Sequence, residues 1–355
     1  MLRLLVWHLM VIAAVLMPSA AVPQPVQQRI IAVGDLHGDF EAWRAIAAAA
    51  GIADAKGQWN GGNATLVQMG DVVDRGPDSL KIIHDLMRLQ REAPKGGGHV
   101  IVVLGNHEAM MMTDDMRYVH PGEFAAFADR DSKARRDRIY EANKTAVEAA
   151  YRAKTPDMAA ETIKDEWMKT MPLGKIEYIR AWRPDGELGK WALANPAVVK
   201  LGDSLFVHGG ISSAYANLSV DEINRLVVAA LEARDASPTA IINHPHGPLW
   251  YRGLVVRDQG GEPATVAPIP VGAAFAPTIL QEIDLVLLNF GVKRIVVGHT
   301  PTRGGIIEGL GGKLWRTDSA ISRAYGGTLS YLEIVGDRVT AHKVPRPASK
   351  PWSTQ

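Results

Sequence analysis

Gly70-Asp71-Val72-Val73-Asp74-Arg75-Gly76 follows the apolar run Thr65-Leu66-Val67, so a strand empties there into a sharp turn bearing two carboxylates and a guanidinium. Glycine permits the turn. Asp71 can then ligate a metal, Asp74 can steer a neighbouring side chain, and Arg75 can reach outward for an anion. Metal and phosphate chemistry are suggested together, although Asp and Gly in a strand-ending turn are also common without any such role. The rest of the chain decides between the two. Gly34-Asp35-Leu36-His37-Gly38 follows Ile30-Ile31-Ala32-Val33, Gly105-Asn106-His107-Glu108 follows Val100 to Leu104, and Val207-His208-Gly209-Gly210 follows Leu205-Phe206. A fifth turn, Val297-Gly298-His299-Thr300, follows Ile295-Val296. Ligands bind at the carboxyl ends of strands in open α/β sheets, so five such turns can converge on one site.

These motifs, in this order, resemble the calcineurin-like metallophosphoesterases. Asp74-Arg75-Gly76 and Glu108 resemble the phosphoprotein phosphatase branch of that family. The resemblance runs roughly from residue 29 to residue 345, and five ordered matches are far more specific than any one of them.

Asp35 and His37 leave the first strand with one residue between them. A carboxylate and an imidazole so placed can share an ion such as Fe, Zn or Mn. Asp71 is the natural bridge, because a carboxylate shared by two cations offsets more charge than a neutral donor could. Asn106 can ligate through its side-chain oxygen. The resemblance implies that Asn106 binds the second metal and that His107 is the general acid, with Asp74 orienting its imidazole. An imidazole is well suited to protonating a leaving oxygen near neutral pH. His208 and His299 match second-metal ligands of the family. Position 301 is Pro301 where many relatives have a further His, which leaves the first metal three protein ligands: Asp35, His37 and Asp71. Arg252, in Leu249-Trp250-Tyr251-Arg252-Gly253, resembles a second phosphate-clamping Arg beside Arg75. The cofactors implied are two divalent or trivalent ions, Mn, Fe, Zn or Co. A hydroxide held between them would attack phosphorus in line.

Other polar groups read as structural. Asp39 caps the helix Phe40 to Ala50, which Gly51 stops. His84 sits in the helix Ser79 to Arg91 with no turn to deliver it to the strand ends. Glu108 is a supporting acid or a helix-start acid. Asn243-His244-Pro245-His246-Gly247 reads as a loop rather than a ligand pair.

Residues 1–21 carry one cation, Arg3, then the apolar stretch Leu4 to Met17 and the small residues Ser19-Ala20-Ala21. This is the pattern of a secretory signal cleaved after Ala21, and the apolar stretch is shorter than the roughly 20 residues a spanning helix needs. Export, to the periplasm or a comparable space, without stable membrane insertion after cleavage, is therefore expected. There is no cysteine, so the fold has no disulfides and its metal ligands must be N or O donors. The 39 Lys and Arg balance 38 Asp and Glu, which leaves no electrostatic footprint for nucleic acid.

The remaining chain predicts one metallophosphoesterase domain over residues 22–345, with a tail at 346–355. Strands alternating with helices indicate the α/β class, and the resemblance implies a β-sandwich flanked by helices in four αββα layers. From Ala109 to about Asn195 the composition turns helical and charged, with helices expected at Phe124 to Ala128, Arg135 to Ala153 and Ala159 to Met168, as an insertion between the two halves of the sheet. Met110-Met111-Met112, Phe124, Phe127, Trp167, Trp182 and Trp191 read as core rather than as the lining of a cleft.

The function expected is that of a two-metal phosphomonoesterase. Asp74, Glu108 and the Trp250-Tyr251-Arg252-Gly253 run favour phosphorylated protein or peptide as substrate, with a resemblance to bacterial Shewanella-like phosphatases and a lean toward phosphotyrosine. The rival is a symmetrical dinucleoside tetraphosphate hydrolase, and a more distant alternative is a non-catalytic binding protein on the same scaffold.

Overall fold

Alternation of side chains along the strands divides the core in two. In a computed structural model, which describes residues 28–261, 277–348 and 352, β1 (Arg29–Val33), β2 (Thr65–Gln68) and β3 (His99–Val102) run parallel, β9 (Leu329–Val335) adds antiparallel to β1, and β10 (Arg338–Val344) adds antiparallel to β9. The order is β10-β9-β1-β2-β3. A second sheet holds β4 (Val198–Leu201), β5 (Ser204–Val207), β6 (Arg294–Val297), β8 (Leu314–Arg316) and β7 (Ile307–Gly309), in that order. Ile30, Ala32, Val67 and Leu332 of the first sheet pack on Phe206, Val296 and Trp315 of the second. One face of each sheet is therefore spent on the other.

The opposite faces carry helices. Ile31, Val33 and Leu66 share a core with Trp43 and Ile46 of α1 (Phe40–Ala49) and with Ile82 and Leu86 of α2 (Ser79–Glu92). Leu205 and Val297 do the same with Val227 of α9 (Val220–Glu232) and Val286 of α11 (Ile279–Phe290). Strands buried on both faces explain why these stretches read as unbroken apolar runs. Trp43 is fully buried, with its Nε1–H donated to Asp85 Oδ2 at 2.8 Å. Truncating such a residue to Ala costs about 3–5 kcal/mol.

Asp39 caps α1 by accepting the Ala42 N–H at 3.2 Å, and its carboxylate also pairs with Arg323 at 2.8 Å. A capping box of Ser219 and Glu222 opens α9, and Gly291, left-handed at φ 59°, closes α11. Gly336-Asp337 turns β9 into β10. Helix α11 begins behind Thr278, whose hydroxyl caps it by accepting the Gln281 N–H at 3.3 Å.

Six helices lie between residues 106 and 194: α3 (Asn106–Met112), α4 (Pro121–Phe127), α5 (Ser132–Arg152), α6 (Ala160–Thr170), α7 (Lys175–Ala181) and α8 (Glu187–Ala194). The expected start at Phe124 moves to Pro121, because His120 Nδ1 accepts the Gly122 N–H at 3.0 Å and proline suits the first helical position. Helices α7 and α8, and the six-residue α10 (Gly253–Asp258), are too short to show a periodic pattern. Met110, Met111, Met112, Phe124, Trp182 and Trp191 are buried, as read. Among the described residues no helix is long and apolar enough to cross a membrane. The expected signal segment lies outside the described residues, as does part of the expected tail.

Candidate metal centre and active site

Parallel strands place their following turns at one end of the sandwich. After β1, β2 and β3 come Asp35 and His37, Asp71 to Arg75, and Asn106 with His107; after β5 and β6 come His208 and His299. The turns are locked together by their backbones. Leu36 and His37 N–H both donate to Asp71 O at 3.0 Å, and Gly298 N–H donates to His208 O at 2.8 Å. A Cβ at Gly298 would sit 2.5 Å from Asp35 Oδ1, so only glycine admits the carboxylate there. His37, Asp71, Asp74, Arg75 and His299 all hold left-handed backbone, with φ of 41° to 71°. Non-glycine residues reach that region at a cost of order 1–3 kcal/mol each, and such strain concentrates at functional sites.

Asp71 is the centre of the arrangement. Around its Oδ2 stand three imidazole Nε2 atoms: His208 at 3.2 Å, His107 at 3.7 Å and His37 at 3.8 Å. Its Oδ1 accepts the His107 N–H at 3.0 Å. Burial opposes ionisation of Asp71, but His208 and His107 outweigh it and hold the carboxyl well below its ordinary pKa. Ligand atoms within 4.8 Å of one another form two groups sharing Asp71: His37, Asp71 and His107, and Asp71, His208 and His299.

The donor set fits metal. His37 Nδ1–H donates to Val73 O at 2.9 Å and His208 Nδ1–H to Met69 O at 2.8 Å, which fixes each ring with its Nε2 turned inward. Burial, then His107, lowers the His37 pKa to about 3; burial, then His208, lowers that of His299 strongly. Both rings are therefore neutral and offer a lone pair. His299 Nε2 is buried without a hydrogen-bond partner among the described residues, an arrangement that a cation would relieve. Asn106 Oδ1 lies 3.0 Å from His208 Nε2, on the same side.

Asp35 departs from the expected grouping with His37. Its carboxylate accepts the His299 N–H at 3.1 and 3.2 Å and joins neither group of converging atoms, although it shares the pocket and its pKa is raised by burial, then by Asp318 and Asp71. His107, expected as the general acid rather than as a ligand, joins the first group beside His37 at a ring separation of 4.7 Å. Its Nδ1 meets Asp74 Oδ2 at 2.5 Å. Burial alone would lower the His107 pKa, but Asp71 and Asp74 reverse the sign and raise it.

Arg75 stacks on the Tyr118 ring at 3.8 Å and stands 5.8 Å from the Tyr325 ring. Tyr118 also leans on His107, at 5.3 Å. Arg252, at the rim, donates to His299 O at 2.7 Å, and its pKa is lowered by burial despite Asp35, Asp71 and Asp318. Glu108 proves to be both acids in one: it starts α3, and its carboxylate accepts the N–H groups of Gly105, Asp71 and Val72 at 2.8–3.0 Å. His84 is exposed near Glu187, and His244 Nδ1 accepts the His246 N–H at 3.1 Å inside its own loop.

Three participants escaped the sequence. Asp318 follows β8 as a sixth strand-end turn, buried, with its pKa raised to about 6 by burial; Thr317-Asp318-Ser319 after that strand has no glycine or histidine to mark it as a site turn. Tyr118 lies in an irregular stretch. Glu123 reads as an ordinary first-turn acid, yet its carboxylate accepts the Asp74 N–H and the Ser79 Oγ–H, each at 2.8 Å.

Residues 28–303 match the calcineurin-like phosphoesterase family. The chain is 30% identical over 318 residues to Shewanella-like protein phosphatase 2 of Arabidopsis thaliana, which covers 87% of this chain and 76% of that protein. In three dimensions it is similar to a cold-active protein-tyrosine phosphatase of a psychrophilic Shewanella, with TM-score 0.60, 24% identity, and 91% and 83% of the two chains covered. It is also similar to a protein serine/threonine phosphatase of Saccharomyces cerevisiae, with TM-score 0.53, 17% identity, and coverage of 92% and 82%. The two-sheet α/β fold, the converging ligand groups and the match over most of the chain agree: the protein belongs to the calcineurin-like phosphoesterases.

Proposed function

We propose that this phosphoesterase removes phosphate from phosphorylated protein, with phosphotyrosine preferred. The observation that carries the reading is Asp71 Oδ2 ringed by three imidazole Nε2 atoms beside the His107–Asp74 pair. His37 and Asp71, with Asp35 from the same pocket as a third ligand, would hold one ion, and Asp71, Asn106, His208 and His299 the other, drawn from Mn, Fe, Zn or Co. When bound, such a pair supplies an activated water and neutralises charge on the phosphoryl oxygens.

The chain's own residues do the rest. Arg75 and Arg252 clamp the equatorial oxygens, with the Arg75 guanidinium held flat by Tyr118. His107 gives its Nε2 proton to the departing oxygen while Asp74, on Nδ1, stabilises the imidazolium. Protein as substrate is supported by the Arabidopsis relative's name. The tyrosine preference is supported by a cleft of about 550 Å³ that opens beside Arg252 and is lined by Met110, Pro238, Trp250, Tyr251 and Val256, a surface suited to an aromatic ring and its neighbours.

Specificity constants for phosphotyrosine peptides, phosphoserine and phosphothreonine peptides, and diadenosine tetraphosphate test the assignment. Phosphotyrosine is expected to lead. Faster hydrolysis of the dinucleotide by about an order of magnitude overturns it. Export rests on residues 1–21. The intact mass of protein from its source cell is expected to show a chain beginning near Val22, and retention of Arg3 would contradict cleavage.

A further inference from the structure

Asp74 and Arg75 are consecutive left-handed residues, φ 71° and 68°, and something must hold them there. Both restraints come from the stretch after α3. Arg75 N–H donates to Tyr118 O at 3.0 Å, and Asp74 N–H donates to Glu123 Oε1 at 2.8 Å. Glu123 is itself fixed: it is 2% exposed, it accepts the Ser79 Oγ–H at 2.8 Å, and its Oε2 accepts the Tyr178 Oη–H at 3.1 Å. Tyr178 is wedged between Phe124 and Phe127, each ring 5.2 Å away.

The Asp74 carboxylate has one hydrogen-bond partner, His107, and its Oδ1 is buried with none among the described residues. No second side chain aims it, so its aim comes from its backbone, and its backbone is held by Glu123. We propose that Glu123 is a positioning residue for the general acid: through the Asp74 amide it sets the carboxylate that orients His107, and so connects the helices after α3 to proton transfer. The proposal rests on the reading of His107 as the acid.

The groups facing Glu123 are Asp74, Ser79 and Tyr178, and among the described residues no cation pairs with it. Burial, then Asp74, raises its pKa to about 8, so near neutral pH it acts as a neutral acceptor rather than as a charge. A glutamine can accept the Asp74 and Ser79 hydrogen bonds, both of which fall on Oε1, through its carbonyl oxygen.

The test compares phenyl phosphate, whose leaving oxygen needs a proton, with 2,4-dinitrophenyl phosphate, whose leaving oxygen does not, on Mn-supplemented enzyme. Glu123→Ala is expected to lower kcat on phenyl phosphate by roughly 10- to 100-fold and on the dinitrophenyl ester by less than about 3-fold. Glu123→Gln is expected to restore phenyl phosphate turnover to within about 3-fold of wild type. Glu123→Asp keeps the carboxyl but withdraws it by one methylene; it is expected to show the same selective loss at smaller size, and it carries the test if Glu123→Ala does not fold. Equal losses on the two esters, or no loss on either, overturn the proposal. His107→Ala separates the two levels: equal losses there mean that the acid assignment itself has failed, whereas a selective loss in His107→Ala without one in the Glu123 variants means that only the positioning role has failed.

Discussion

The two ends of the sandwich are made from the same strands and behave as opposites. At the carboxyl ends of the parallel strands, Asp35, Asp71, Asp74, Asp318 and the four histidine or asparagine ligand candidates are buried, several on left-handed backbone. At the far end, Gly202-Asp203 and Gly336-Asp337 make tight turns, and exposed Lys293 pairs with Asp203 at 2.9 Å and Asp337 at 2.8 Å. One end stores backbone strain and buried carboxylates; the other puts its turns on glycine and leaves Asp203 and Asp337 exposed. Since the sheets themselves would be stable with turns like those at the far end, the cost at the near end points to a selected use.

The largest break in that contrast is expected from Asp71→Asn, which removes the charge shared by both ligand groups. Phosphate release is expected to fall on the order of 10³-fold or more, with bound metal falling alongside in elemental analysis. Next, His107→Ala is expected to lower kcat by roughly 10²- to 10⁴-fold on phenyl phosphate, with KM little changed, because a proton donor acts in the transition state. Arg75→Lys is expected to lower kcat/KM by about 10-fold or more, since an ammonium loses both the bidentate clamp and the stack on Tyr118.

A smaller effect concerns stability. Glu123 keeps its proton in the fold up to about pH 8, while the unfolded chain releases it near its ordinary 4.5. The folded state therefore binds more protons across that window, and stability falls as pH rises through it. Wild-type Tm is expected to drop relative to Glu123→Gln between pH 5 and pH 8, as read by thermal melts; parallel Tm curves would contradict the shift. At the far end, Lys293→Ala is expected to leave kcat unchanged and to move Tm by no more than about 2 °C. A loss of turnover there would erase the contrast between the ends.

The near end was largely legible because each ligand candidate sits one to four residues beyond an apolar run, so strand and turn announce it together. Asp35, His37, Asp71, Asn106, His208 and His299 all arrive in one pocket for that reason. Asp318 was missed because the turn after β8, Thr317-Asp318-Ser319-Ala320, carries neither the glycine nor the histidine that marks the other five. Glu123 was missed for a different reason. Its partner Asp74 lies 49 residues away, and a first-turn glutamate explains itself locally as a favourable charge at a helix start. The distant placement of Asp35 against the His299 amide likewise depends on how the two sheets meet, which no local pattern encodes.

Metal-dependent ester hydrolysis is the claim on which the others stand. Hydrolysis of p-nitrophenyl phosphate by protein stripped with a chelator, then titrated with Mn, Fe, Zn or Co, tests it directly. Near-complete loss on stripping and saturable recovery at about two ions per chain are predicted. Full activity in metal-free protein would contradict the account.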